Sequence, residues 1–153
     1  MTAGLWHVIC EVCKAMVYSE FETGSVNILA SDGGWAWPTA LRKVFEPCGV
    51  NLLVARKTSD FVNVLGHQRI HTAIIDMENE ISKGLVTIKV IRKSNPLLPC
   101  ILLSGGETAG ILGKALELDV FSVINKPVEM GILREQLDRL FTKKYGSRIF
   151  SCK

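Results

Sequence analysis

Long apolar runs are missing: no stretch approaches the roughly 20 uninterrupted apolar residues that a membrane span needs. The N-terminal segment reads as neither leader nor anchor, because Glu11 and Lys14 interrupt its apolar residues and no basic start precedes them. Charge of one sign is also scarce. Eighteen Lys and Arg stand against 15 Asp and Glu, a dispersed net charge of +3 that carries no argument for nucleic acid as a partner. Histidine occurs only as His7, His67 and His71, without metal-like spacing, and no Ser-His-Asp or Cys-His arrangement supports hydrolase chemistry. Neither a P-loop nor a dinucleotide fingerprint is present. The cysteines, Cys10, Cys13, Cys48, Cys100 and Cys152, are odd in number and scattered, unlike the framework of a small secreted domain. The expectation is a soluble protein of the reducing cytoplasm, with Cys48 and Cys100 as small core hydrophobes.

What the chain does have is enough apolar material, 48% of 153 residues, for the core of one domain. Short β-branched runs alternate with longer segments of helical spacing. Strands are predicted over Val26 to Ser31, Asn51 to Arg56, His71 to Asp76, Leu98 to Ser104 and Val120 to Asn125. Helices are predicted over Trp35 to Glu46, Ser59 to Gly66, Lys83 to Lys93, Glu107 to Leu118 and Glu129 to Lys144, the last with Leu133, Leu137, Leu140 and Phe141 on one stripe. Tight hairpins cannot join parallel strands, so this alternation predicts a parallel sheet covered on both faces, an α/β three-layer sandwich. In such sheets ligands sit beyond the carboxyl ends of the strands.

Those ends carry Asp32, Asp76, Ser104 and Lys126-Pro127. A carboxylate that accepts a phosphoryl group needs a divalent cation held by another acid, and an ammonium and a hydroxyl for the phosphoryl oxygens. Asp76 suits the acceptor, Asp32 the metal-side acid, Lys126 the cationic clamp and Ser104 the hydroxyl donor. Each has a plainer reading as a turn, cap or solvated residue, and the combination is what argues for chemistry.

This combination resembles the receiver domain of two-component response regulators, over Val26 to about Lys144. The pieces that carry the resemblance are Ile74-Ile75-Asp76-Met77, Gly84, Leu102-Leu103-Ser104-Gly105 and Asn125-Lys126-Pro127-Val128. It implies a flavodoxin-like fold with strand order 2-1-3-4-5, Asp76 as phosphoacceptor, and Mg2+ held by Asp32, Asp76 and the backbone carbonyl of Glu78. It also implies Ser104 and Lys126 as phosphate-binding and switch residues and a cis bond before Pro127. The partners implied are a histidine kinase or histidine phosphotransfer protein upstream and an unidentified protein downstream. Slow self-dephosphorylation is implied, but no substrate turnover, so the protein is not expected to be an enzyme.

Two departures bear on activity. Receivers usually end the first strand with two adjacent acids, and here the stretch is Ser31-Asp32-Gly33-Gly34. Spacing to Gly49 matches Asp32 to the first acid and Gly33 to the second, which ligates the metal more directly. Counting to Asp76 without a gap puts Asp32 second, and both alignments stay open. Val123 replaces the aromatic that usually accompanies the Ser/Thr switch, so output is expected to be weak or to use another surface. Asn79-Glu80 likewise replaces an apolar residue and proline.

Two alternatives follow. One is a pseudo-receiver that binds partners without phosphorylation, and the other is a flavodoxin-like domain that binds a small ligand or flavin. The expected organisation is an N-terminal extension over residues 1–25, the receiver-like domain over 26–144 and a tail over 145–153, with no output domain following. Leu5, Ile9, Val12 and Met16 recur at helical spacing in the extension, on an amphipathic helix that would pack on the domain or a second copy. Cys10-x-x-Cys13, half of a zinc-ribbon signature, is the lesser reading there. Trp35 and Trp37 read equally as a partner surface and as a lid over the glycine turn.

Overall fold

The computed structural model describes residues 26–31, 42–77, 81–105 and 109–151. Five strands, β1 (Val26–Ser31), β2 (Val50–Ala55), β3 (Thr72–Asp76), β4 (Cys100–Ser104) and β5 (Ser122–Asn125), form one parallel sheet in the order β2-β1-β3-β4-β5. Helix α1, described over residues 42–45, runs into a 3-10 turn at Glu46–Cys48. Helices α2 (Thr58–His67), α3 (Ile81–Ser94), α4 (Ala109–Glu117) and α5 (Met130–Tyr145) alternate with the later strands. This is the three-layer flavodoxin-like sandwich that the alternation predicts.

Successive strand residues face opposite sides, so each strand feeds two cores. Ile28, Ala30, Ile74, Ile101 and Leu103 pack with Phe45, Leu133, Leu137, Leu140 and Phe141, from α1 and α5. Leu29, Ala73, Ile75 and Leu102 pack with Phe61, Leu85, Ile88, Ile91 and Ala115, from α2, α3 and α4. β3 and β4 are buried at every residue, which is why their sequences read as continuous apolar runs.

Local chemistry sets the ends of the elements. α2 opens with the Asp60 carboxylate accepting the backbone N–H groups of Arg56, at 3.2 Å, and Lys57, at 3.0 Å. β4 begins at Cys100, two residues after the predicted start, because Pro99 has no N–H to give a ladder; its carbonyl still accepts from the Ala73 N–H at 3.1 Å. β5 begins at Ser122, because the Val120 N–H is spent on the Ala115 carbonyl at 3.1 Å and Asp119 turns the chain at φ 54°. β3 begins at Thr72, with His71 buried just before it. After α5, Gly146 takes φ 63° and the chain returns so that Phe150 lies edge-on against Phe45 and Phe141, with centroids 5.6 and 4.9 Å away. Among the described residues, no helix is long and apolar enough to cross a membrane.

Candidate functional site

The parallel sheet brings all its carboxyl ends to one edge. Asp76 closes β3 there, its side chain withdrawn from solvent, and its carboxylate forms an ion pair with the Lys126 ammonium, whose side chain keeps 30% of its exposure. Lys126 is carried by the residue after β5, and its backbone N–H donates to the Ser104 carbonyl at 2.8 Å, tying the ends of β4 and β5 together. Ser104, the last residue of β4, is fully buried. The Met77 N–H donates to the Leu103 carbonyl at 2.9 Å, which holds the chain after Asp76 against β4. The Lys126-Pro127 peptide bond is cis.

A fourth residue meets Asp76 from β1. The Ser31 hydroxyl accepts the backbone N–H of Asp76 at 2.5 Å and donates to the Ile74 carbonyl at 3.3 Å. Composition and spacing had placed Ser31 only at the end of a strand; a hydroxyl directly before a strand-end acid is the signal that would have found it.

Gly84 is explained by a close approach. A Cβ on it would lie 2.5 Å from the Met77 sulfur, so any side chain here would require the Met77 side chain after Asp76 to shift. Val123 is half-buried and packs with the α2, α3 and α4 core, next to Leu102 in the register. The described histidines stand away from these residues. His71 lies at the start of β3, at the opposite edge, where its Nδ1 accepts the Asn27 N–H at 3.1 Å, and His67 is exposed at the end of α2. Burial pushes the Cys100 thiol up to about 11, against a smaller opposing pull from Arg92.

The structure therefore brings together Asp76, Ser104 and Lys126 of the predicted site and adds Ser31. Asp32 and Glu78 lie outside the described residues, as do Gly33, Trp35, Trp37, Asn79 and Glu80, and the Cys10-x-x-Cys13 segment with its expected helix. Among the described residues no three His, Cys, Asp or Glu side chains gather as a metal site. Asp76, Asp32 and the Glu78 carbonyl are an all-oxygen donor set, the type Mg2+ prefers. Asp32 is bonded to Ser31 and Glu78 to Met77, and Ser31 and Met77 both stand at this edge.

A buried acid facing a lysine across the carboxyl edge of a 2-1-3-4-5 sheet is chemistry of one recognisable kind, and the response regulator receiver domain model matches residues 36–138. The chain belongs to the response regulator receiver domain family. The family match begins after Asp32, the segment where the sequence departs from the usual acid pair. Among curated relatives, the chain is 21% identical over 128 residues to the transcriptional regulatory protein ZraR of Salmonella typhimurium, covering 82% of this chain and 29% of that protein. It is 28% identical over 104 residues to a putative response regulator NtrX-like of Rickettsia bellii, covering 67% of this chain and 22% of that one. The receiver domain thus spans under a third of the length of these relatives.

Solved structures agree on the fold. The signal receiver domain of an HD domain-containing protein from Pseudomonas fluorescens Pf-5 superposes with a TM-score of 0.70 at 19% identity, over 80% of this chain and 98% of that one. A CheY-like response regulator receiver domain protein from Methanospirillum hungatei gives 0.67 at 17% identity, over 80% and 98%. A response regulator receiver protein from Pseudomonas putida gives 0.67 at 25% identity, over 74% and 96%.

Proposed function

We propose that this receiver domain accepts a phosphoryl group on Asp76 from a phosphohistidine of a histidine kinase or histidine phosphotransfer protein. The observation that carries the reading is the ion pair between buried Asp76 and Lys126, with Ser104 on the neighbouring strand end. In the transfer, an Asp76 carboxylate oxygen attacks phosphorus, the phosphorus–nitrogen bond breaks, and the donor imidazole leaves with the electron pair and takes up a proton. The product is an acyl phosphate. The Lys126 ammonium, already at the carboxylate, offsets charge on the phosphoryl oxygens, and the Ser104 hydroxyl donates to one of them.

Asp76, Asp32 and the Glu78 carbonyl would hold Mg2+, which would neutralise charge between carboxylate and phosphate. Phosphorylation then alters protein contacts with a downstream protein, in the cytoplasm, and water slowly returns the domain to its resting form.

The test is incubation with acetyl phosphate and Mg2+, read by intact mass. The expected result is one added phosphoryl group in the wild type and none in Asp76→Asn. A folded wild type that takes no phosphoryl group and shows no response to Mg2+ overturns the reading and leaves a domain that binds its partners without phosphorylation.

A further inference from the structure

We propose that Ser31 is a positioning residue for the phosphoacceptor: its hydroxyl, set between the Ile74 carbonyl and the Asp76 N–H, fixes the backbone that carries the Asp76 carboxylate. The proposal rests on the phosphoacceptor reading of Asp76.

In a parallel pair, a residue of one strand bridges the two neighbours of its partner with its own N–H and C=O. The β1–β3 register runs from Ile28 opposite Thr72 to Ala30 opposite Ile74. At the next step, the neighbours to be bridged are Ile74 and Asp76. There a side chain reaches both groups. One oxygen, Ser31 Oγ, donates to the Ile74 carbonyl at 3.3 Å and accepts the Asp76 N–H at 2.5 Å.

The chemistry of the position is restrictive. A single atom that donates and accepts at once, on a side chain this short, is a serine or threonine hydroxyl. A carboxylate could take the amide but has nothing to donate to Ile74, and alanine does neither. In the alignment without a gap, Ser31 stands where the family places its first acid. The Ser31 hydroxyl acts from β1 while Lys126 holds the carboxylate from the β5 side, and the acceptor is thus held from two directions. Small misplacements of a reacting group are costly in rate, which is what such a hold prevents.

The test compares wild type with Ser31→Ala and Ser31→Thr. It reads hydrogen exchange of the Asp76 amide by NMR, and the labelling rate at saturating acetyl phosphate over a Mg2+ series. Thermal melts confirm that each variant is folded. Ser31→Cys, which keeps the size with weak sulfur hydrogen bonding, replaces the alanine variant should that one unfold. Loss of one such hydrogen bond predicts amide exchange and labelling each changed about tenfold in Ser31→Ala, exchange faster and labelling slower. The Mg2+ half-saturation stays unchanged, and Ser31→Thr restores both readouts. Wild-type amide protection in Ser31→Ala, equal labelling in the two proteins, or failure of threonine to rescue would each overturn the proposal. A wild type that is never labelled defeats the phosphoacceptor reading and this role with it. Equal labelling of wild type and Ser31→Ala, abolished by Asp76→Asn, defeats this role alone.

Discussion

Gly84 on α3 lies directly over Met77, the residue that follows the phosphoacceptor: a Cβ placed on Gly84 would come within 2.5 Å of the Met77 sulfur and 3.1 Å of its Cγ. Two effects oppose each other in Gly84→Ala. Helix propensity favours alanine by about 1 kcal/mol, whereas forcing a buried neighbour aside costs about 1–3 kcal/mol. Met77 is only 1% exposed, and its side chain has little room to yield, so the clash wins. The expected outcome is a net loss of about 1 kcal/mol in Gly84→Ala. In a double-mutant cycle, Met77→Ala is less damaging in the Gly84→Ala background, with a coupling of about 1–2 kcal/mol by urea denaturation. Additive losses would show that the two residues do not compete for the same space.

Arg92 joins three segments. From α3 its guanidinium donates to the Leu118 carbonyl at 2.9 Å, to the Asp119 carbonyl at 3.0 Å and to the Leu98 carbonyl. These carbonyls belong to the turn after α4 and the approach to β4. Arg92→Met leaves all three without this donor, with an expected loss of about 2–4 kcal/mol for charged hydrogen bonds in a half-buried setting. Arg92→Lys recovers only part, because one ammonium cannot reproduce the planar fork across three acceptors. Urea midpoints for the three proteins check the order.

Lys126→Gln separates stability from chemistry. The lysine side chain keeps 30% of its exposure but the Asp76 side chain keeps none, so losing the cation costs more than at a surface pair, and with the glutamine amide as a substitute donor the stability loss is expected to be about 1–3 kcal/mol. Phosphoryl labelling is expected to fall about 100-fold, the usual scale for removing one charge-stabilising donor. A variant that melts like the wild type and is labelled as fast would remove Lys126 from the phosphoryl site.

The sheet was legible because its signal is redundant: five short apolar runs, each followed by a helical stripe, admit few other layouts. Strand order came from the resemblance, whereas the alternation itself put Asp76, Ser104 and Lys126 at strand ends, where each alone has several readings and the combination argued for chemistry. What stayed illegible depends on geometry that no period encodes. Ser31 reads as one more strand residue until its hydroxyl is seen on the Asp76 amide. Arg92 falls on a helix like any surface arginine, and its three carbonyls are distant in sequence. Phe150 follows α5 in a segment too short for any pattern, yet it lies between Phe45 and Phe141. Strands β4 and β5 begin two residues after the predicted Leu98 and Val120, because apolar character in the sequence extends beyond the regular ladder, which starts at Cys100 and Ser122.

Cys100 makes stability fall at high pH. The thiol is fully buried in β4, and burial pushes it up to about 11 from an ordinary 9.0, with Arg92 pulling the other way. Between those values the unfolded chain has already released the thiol proton while the folded chain still holds it. The folded state therefore binds the extra proton, and its stability decreases as pH rises through this window. The contribution is fully present below about pH 9 and has a ceiling of about 3 kcal/mol, two units at the standard conversion. Urea denaturation of wild type and Cys100→Ala at pH 7, 8, 9 and 10 checks it. Alanine lowers the baseline by leaving a small void, and it removes the titrating group. The stability gap between the two proteins is expected to be constant from pH 7 to about 8 and to shrink above 9, where the wild type alone loses this contribution. The same burial predicts that Ellman's reagent leaves Cys100 unmodified in the native protein at neutral pH and reaches it only on unfolding. A gap that stays constant to pH 10, or rapid native-state modification of Cys100, would show that this thiol ionises within the fold as readily as it does in water.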